Sequence, residues 1–372
     1  MKLTIPKNQL AYSIKMVAKA MSSQSTIPVL SGIHIYTNEV DELIFETTDL
    51  DVSIKHKEDA LVEEGGSTVV PGKIFGDIIN SFPDEAVSLE TRGEKLTISC
   101  GGTVFTIATL NPLDFPQFPQ ITPTRSIEVG APQLAKMVRR VSKATSKDVS
   151  RAVLTGIYLE VKKGVLRLAA TDSYRLAITK EVVKRGEGQP QSEDIQTIIP
   201  GSILDEIGKL TAGSKEIRIG ESDNQIIFSF GSTTFISRKI EGNYPNFEQI
   251  IPTQKNVSVV VETDLLLSAV KRVSIVAKNT SPIRIALHAD TQQIEISAQT
   301  PDIGNANESI PAQIDGEEIS IGFNHQYILD GLNAAGTEEL VFEAQTSVKP
   351  GIFRSIGSEE YFYLTMPVRL DR

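Results

Sequence analysis

The chain contains no tryptophan and one cysteine, Cys100. A single thiol cannot close an internal disulfide, so a cross-linked secreted scaffold is excluded and a reducing, cytoplasmic setting is expected. No uninterrupted apolar run reaches membrane-spanning length. The opening segment, MKLTIPKNQLAYSIKMVAKAMS, spreads its lysines and lacks the apolar core of a secretory signal, so no membrane partner is expected. The four histidines, His34, His56, His288 and His325, are scattered without metal-ligand spacing. Gly65-Gly66 and Gly101-Gly102 are turn-like, and neither opens a helix through Lys-Ser/Thr, which rules out a phosphate loop. Cys100 lies in a strand-like run with no histidine nearby and reads as a buried structural thiol. Thr171-Asp172-Ser173-Tyr174 offers hydroxyls but no base, and reads as a turn at a strand end. No catalytic residue, metal or cofactor is expected, and the chain is read as non-enzymatic. The sequence also lacks an aromatic cluster of the kind that stacks on bases. Any contact with nucleic acid would therefore be made to the backbone, blind to sequence.

What is present is ordinary in bulk: 372 residues, 40% hydrophobic and 23% charged, enough for two or three domains. The internal organisation is more telling. Residues 9–22, QLAYSIKMVAKAMS, match residues 133–146, QLAKMVRRVSKATS, at an offset of 124. Val29-Leu30-Ser31-Gly32-Ile33 answers Val153-Leu154-Thr155-Gly156-Ile157 at the same offset, and Thr48-Asp49 answers Thr171-Asp172. Pro71-Gly72-Lys73-Ile74 matches Pro200-Gly201-Ser202-Ile203. Each copy closes in a Pro-rich segment, Asp114-Phe115-Pro116-Gln117-Phe118 and Asn243-Tyr244-Pro245-Asn246-Phe247. A fainter third copy runs from residues 266–278, LLSAVKRVSIVAK, through Ile321-Gly322-Phe323-Asn324 to the C-terminus. Ordered matches at near-constant spacing mark a repeat architecture. We divide the chain into domains at residues 1–125, 126–254 and 255–372.

Within each copy a short strand leads into a helix, strands follow, and a Pro-Gly or Gly-Phe turn opens a second helix before further strands. Period-two runs such as Leu43 to Thr48, Val165 to Ala170 and Gln293 to Ala298 predict antiparallel strands with one wet face. The fold class is α+β, two helices and antiparallel sheets per repeat.

The first helix of each copy carries an apolar stripe: Leu10, Ile14, Val17; Leu134, Val138, Val141; Leu266, Val270, Val273. Its other face is basic. Residues 7–22 hold three lysines and no acid, and residues 131–147 hold five cations and no acid. Residues 262–278 carry a net +1. The whole chain is at −10, so these windows stand out against an acidic remainder. A lone basic helix face is usually solvated surface. Repetition on equivalent helices points instead to a polyanion, which would offset the repulsion of like charges at i, i+4.

Four motifs carry a resemblance. Ala170-Thr171-Asp172-Ser173-Tyr174-Arg175-Leu176-Ala177, Met366-Pro367-Val368-Arg369-Leu370, Thr26-Ile27-Pro28-Val29-Leu30 and the Arg151-Ala152-Val153-Leu154-Thr155-Gly156 strand are similar to signatures of the bacterial DNA sliding-clamp family, the beta subunit of DNA polymerase III. The likeness covers essentially the whole chain. It implies three DNA-clamp domains per chain and a head-to-tail homodimer closing into a ring around duplex DNA. The ring would tether the replicative polymerase as a processivity factor. Clamp loader, repair polymerases and ligase would dock through short peptide motifs.

The resemblance places sequence-independent DNA contact at Lys15, Lys19, Gln24, Lys136, Arg139, Arg140, Lys143, Lys147, Arg151 and Lys271. Gln24 stands where many relatives carry arginine. The peptide pocket is implied at Leu154, Thr171, Ser173, Tyr174, Arg175, Leu176, Pro245, Gln249, Ile250, Asn324, Tyr327, Met366, Pro367, Val368 and Arg369. An apolar cleft with a polar rim and an adaptable methionine suits several ligands. Leu154, Leu176 and Ile250 fit plain core packing equally well. The resemblance sets the subunit boundary at Lys73, Ile74 and Phe105 against Ile275 and Val276, which also fit contacts inside a domain. Asp371 and Arg372 extend past the point where many relatives stop. Two other readings compete: a repeated scaffold that binds peptides but no DNA, and an enzyme working at domain interfaces, which the absence of a convergent acid, base or metal set disfavours.

Overall fold

The computed structural model describes residues 1–22, 26–38, 41–183, 194–277, 282–301, 303–357 and 360–370. Gln24 and the Asp371-Arg372 extension lie outside the described residues. The chain forms two compact units. One is built from Met1–Pro132 with Lys209–Lys239, the other from the described parts of 133–208 and 240–372. The middle repeat contributes to both.

The first unit holds two helices, α1 (Lys7–Val17) and α2 (Gly72–Ser81), and two antiparallel sheets. A five-stranded sheet runs in the order Leu61–Glu64, Lys2–Pro6, Ala86–Arg92, Lys95–Cys100, Thr103–Ala108. An eight-stranded sheet joins Ser67–Pro71, Gly32–Asn38, Glu42–Thr48 and Val52–Asp59 of the first repeat to Thr233–Arg238, Gln225–Phe230, Glu216–Glu221 and Arg125–Gly130 of the second. The seam is the pairing of Val52–Asp59 with Thr233–Arg238, with Ile54 opposite Phe235. The α1 stripe is buried as expected, with Leu10, Ile14 and Val17 in the core. Cys100 is buried.

His56 sits on that seam. It is 3% exposed, its Nδ1 lies 2.8 Å from the Thr233 hydroxyl, and its ring meets the Tyr12 ring edge-on. Burial pushes the imidazole down to about 4. An unfolded chain takes up this proton near the ordinary value of 6.5, so the neutral ring contributes stability above pH 6.5 that is lost as pH falls towards 4. The loss should be on the order of 2 kcal/mol. Chemical denaturation at pH 7 and pH 4.5 should show a larger difference for this chain than for a His56→Gln variant, and equal differences would refute the assignment.

The second unit contains α3 (Ala131–Val141, from Gln133 onward), α4 (Ala152–Thr155), α5 (Gly201–Leu210, to Gly208), α6 (Thr263–Val273) and α7 (His325–Ala335). Its nine-stranded sheet joins Ile195–Pro200, Gly156–Lys162, Val165–Thr171 and Arg175–Val182 of the second repeat to Tyr361–Thr365, Gly351–Ser355, Glu339–Ala344, Val257–Glu262 and Gln313–Gly316 of the third. A four-stranded sheet orders Gly304–Pro311, Gln293–Thr300, Ile283–His288 and Ile319–Phe323. The expected Gly322-Phe323 turn is the end of a strand, and the helix starts just beyond it: the Asn324 side chain accepts from the Gln326 and Tyr327 amides, and Gly336 closes α7 in the left-handed region.

The sequence matches translate into shared contacts. After the last strand of each repeat the chain returns and donates one backbone hydrogen bond to the same place: Leu110 N to Val69 O (2.8 Å), Ile240 N to Ile198 O (2.9 Å) and Val368 N to Gly322 O (2.8 Å). The repeated Gly32 and Gly156 are explained by this return, because a Cβ at Gly156 would meet Ile198 at 2.4 Å and Ile240 at 2.8 Å. One local expectation fails. Residues 151–156 were expected to be a strand, but α4 occupies Ala152–Thr155 and the strand begins at Gly156. Asp148 opens this helical stretch by accepting from the Ser150 amide.

Candidate functional site

In the first unit, α1 has no acid in its first turn and presents exposed Lys15, followed by exposed Lys19 in the next half-turn. In the second unit, α3 presents Lys136 and Arg139 to solvent, with exposed Lys143 and Lys147 beyond its end. Lys136 also lies 3.6 Å from the Glu360 carboxylate. Lys271 is exposed on α6, whereas its neighbour Arg272 is engaged by Glu308 at 2.5 Å. Arg151 is half-exposed but tied down, to Asp148 at 3.3 Å, the Ser173 hydroxyl at 3.0 Å and the Asp172 carbonyl at 3.3 Å.

Arg140 corrects the sequence reading. It was placed on the outward basic face, yet it is 4% exposed. Its guanidinium donates to the carbonyls of Ala335 and Glu360, both at 3.2 Å, and stands 5.6 Å from the Tyr361 ring centre. The side chain therefore fastens α3 to the C-terminal end of α7 and to the strand at Tyr361. At 3.6 residues per turn, position 140 lies between the buried stripe and the wet face, and the third repeat supplies the acceptors that pull it inward. Replacing Arg140 by alanine should cost about 2–4 kcal/mol, because two acceptors lose their donor and the ring loses its cation. Arg139→Ala should stay within about 0.5 kcal/mol. Denaturant melts of the two variants check this, and equal midpoints would contradict it.

The segments implied for the pocket converge within the second unit. Between the strands ending at Thr171 and starting at Arg175, Asp172 builds the turn. Its Oδ1 accepts from the Tyr174 and Arg175 amides at 2.9 and 3.0 Å, and Ser173 sits at φ +80°. The Thr171 hydroxyl donates to the Arg175 carbonyl at 2.7 Å. Arg175 pairs in register with Thr365, and the Met366 amide donates to the Tyr174 carbonyl at 2.8 Å. Two segments nearly two hundred residues apart in sequence thus share one edge.

Arg175 is 8% exposed. Its Nε donates to Asp172 at 3.0 Å, its Nη1 to Asp330 at 2.5 Å, and the guanidinium covers the Tyr327 ring at 4.4 Å. Burial opposes its charge, but Tyr363, Asp330 and Asp172 hold it above the ordinary arginine value. Arg175 therefore braces α7 against the 172–174 turn.

Beneath lies a core cluster containing Tyr158, Leu176, Ile178, Ile198, Phe247, Ile352, Phe362 and Leu364, with Val153, Ile240, Tyr244 and Ile251 against it. Tyr244 stacks on Tyr158 at 5.3 Å, and its hydroxyl accepts from the Thr171 amide at 3.1 Å. Leu176 is fully buried and Leu154 is 8% exposed, which fits the core-packing alternative. Ile250 is half-exposed, contrary to the core alternative. Tyr174 (60%), Ile250 (49%), Met366 (41%) and Val368 (40%) remain exposed on the tied segments. Pro245, Gln249 and Arg369 are exposed, with Pro367 and Asn324 half-buried.

Sequence reasoning passed over Asp172, Tyr244, Phe247 and Asp330 as site-building residues. The first lay inside a quoted motif and the aromatic pair inside a repeated Pro-rich segment. Asp330 gave no signal, because only the folded chain brings α7 to Arg175.

The interface candidates lie at exposed places. Ile74 on α2 is 49% exposed and Ile275 beyond α6 is 81% exposed, with Lys73 exposed and Val276 half-buried. Phe105, 37% exposed, lies on the last strand of the five-stranded sheet, which pairs on one side only among the described residues.

Family models of the DNA polymerase III beta subunit match the chain in order: the N-terminal domain over residues 1–119, the central domain over 128–246 and the C-terminal domain over 248–369. The chain belongs to the DNA polymerase III beta subunit family. Beta sliding clamps of Bacillus subtilis and Synechococcus elongatus are 32% and 30% identical to it. These alignments take in 99% and 100% of the chain and the whole of each relative. The solved sliding clamp of Bacillus subtilis superposes with a TM-score of 0.93 at 30% identity over the full length of both chains. A sliding clamp of Pseudomonas aeruginosa bound to griselimycin gives 0.92 at 28%, again over both full chains. The beta subunit fold thus accounts for all three repeats, and the family's role is that of a DNA sliding clamp and processivity factor.

Proposed function

We propose that two copies of this chain close head to tail around duplex DNA and hold the replicative polymerase there. The observation that carries the reading is the recurrence of exposed cations on equivalent helices, Lys15, Lys136, Arg139 and Lys271, in a chain of net charge −10. Phosphate contact through such residues is independent of base sequence and allows sliding. A closed ring retains DNA by topology, so weak contacts suffice. Lys19, Lys143, Lys147 and Arg151 extend the surface, whereas Arg140 serves the fold.

The repeat logic supports closure. In each unit, the last strand of one repeat pairs with a strand of the preceding repeat: Thr233–Arg238 with Val52–Asp59, and Tyr361–Thr365 with Arg175–Val182. The first repeat's last strand, Thr103–Ala108, is a sheet edge among the described residues. The third repeat's equivalent acceptor, Gly304–Pro311, is a sheet edge among the described residues. A second copy satisfies both edges, and exposed edges of this kind invite pairing. We take the domain limits to be 1–125, 126–254 and 255–372. The pocket around Tyr174, Ile250, Met366 and Val368 receives apolar peptide segments from polymerase, loader and repair proteins, in the cytoplasm and without catalysis by the clamp itself.

Lys136→Glu with Arg139→Glu tests the DNA surface. Retention on nicked circular DNA after loading should fall at least about tenfold at moderate salt, and the salt dependence should flatten as phosphate contacts are lost. Arg140 is left intact so that the fold is preserved. Unchanged retention and polymerase processivity would sink the proposal.

A further inference from the structure

We propose that the third repeat carries a divalent transition-metal site formed by His288, Asp290 and Glu318. One ligand atom from each residue, an imidazole nitrogen and two carboxylate oxygens, lies within 4.8 Å of the others. Small rotations of these side chains would bring three donors to about 2 Å from one central ion.

The fold builds the cluster from two connections. The strands Ile283–His288 and Ile319–Phe323 pair with Leu287 opposite Ile319, which brings His288 level with Glu318. On its other side His288 pairs with Gln293, and the intervening turn of residues 289–292 carries Asp290. The equivalent turn of the second repeat is two residues shorter, since Lys162 pairs directly with Val165. In the first repeat Asn38 pairs with Glu42, one residue shorter, so the third repeat has the longest turn of the three and alone carries a histidine at its start. Asp290 keeps one carboxylate oxygen on the Thr291 amide at 2.8 Å, leaving the other for an ion. Glu295 reaches the same imidazole, its Oε2 lying 3.9 Å from His288 Nε2.

The three grouped residues give one nitrogen donor and two carboxylates, with Glu295 beside the imidazole. The imidazole favours zinc, nickel or copper over the hard ions magnesium, calcium and manganese, which prefer oxygen donors. Three protein ligands leave positions for water. The site would have a structural consequence. Glu318 precedes Ile319 in the four-stranded sheet and follows Gln313–Gly316, which pairs in the nine-stranded sheet. A bound ion would fasten this crossover to the His288 turn and brace the two sheets of the third repeat.

The test is calorimetric titration of the chelator-treated full chain with zinc or nickel, read beside the thermal midpoint. One ion per chain is expected, with a raised midpoint and much weaker binding of magnesium. His288→Ala and Glu318→Gln should each weaken binding at least tenfold. Both residues sit at the surface, so the metal-free midpoints of these variants should match that of the parent. No binding by the parent, equal affinity for magnesium, or undiminished affinity in both variants would overturn the proposal.

Discussion

A chain carrying Phe105→Cys and Ala306→Cys is expected to form a disulfide-linked dimer on mild oxidation. Once loaded on circular plasmid, that dimer should withstand salt that strips the unlinked protein, and it should escape when the plasmid is linearised. The register comes from the two seams. Phe235 lies opposite Ile54, and Tyr363 opposite Ala177. Counting back from the shared return bonds at Ile240 and Val368 to that at Leu110, Phe105 takes the place of Phe235 and Tyr363. Within each repeat's own ladder, Thr47 faces Ile54, Ala170 faces Ala177 and Ala298 faces Ala306. Phe105 of one copy therefore meets Ala306 of the next. Directly opposed strand positions bring Cβ atoms within reach of a disulfide or a short bis-thiol reagent. Cys100 is 2% exposed and will not compete. A monomeric product, or a linked product that survives linearisation, would contradict head-to-tail closure through these edges.

Removing Met366 to Arg372 should abolish binding of a polymerase-derived peptide, a loss of at least about a hundredfold, while sedimentation still shows the dimer. The segment supplies two of the four exposed apolar side chains of the pocket, Met366 and Val368. Its other contacts are the Tyr174 carbonyl and Gly322, where Leu370 packs against the glycine. None of these lies on Thr103–Ala108 or Gly304–Pro311, so closure should not depend on it. A Met366→Asp variant, which leaves the backbone bonds in place, should lose most of the same affinity. Calorimetry with the parent's affinity in both variants would refute the pocket assignment.

Much of this was legible in the sequence because repetition multiplies weak signals. The apolar stripes at Leu10, Leu134 and Leu266 each make an ordinary helix. Their recurrence fixed three domains and singled out the basic faces. The Thr171-Asp172 turn was readable because Asp favours such turns through its side-chain acceptor. What stayed hidden depends on distant partners. Periodicity could not tell that Arg140 would turn inward, because the carbonyls of Ala335 and Glu360 that hold it lie some two hundred residues away. Arg175 reads as a pocket residue, and its bracing contact was hidden for want of any sign that Asp330 would meet it. The histidines appeared scattered because spacing along the chain says nothing of cross-strand neighbours, and His288 and Glu318 are thirty residues apart.

The return bond common to all three repeats is anchored unequally. After Leu110 the chain goes on to bury Phe115 with Val29 and Val69, and after Ile240 it lays down Tyr244 and Phe247. After Val368 it has only the two described residues Arg369 and Leu370 before its last pair. The third return is thus the most lightly anchored of the three among the described residues, and it borders the pocket proposed above. A lightly held border of that proposed pocket would shift to admit guests of different bulk without disturbing the sheets beneath.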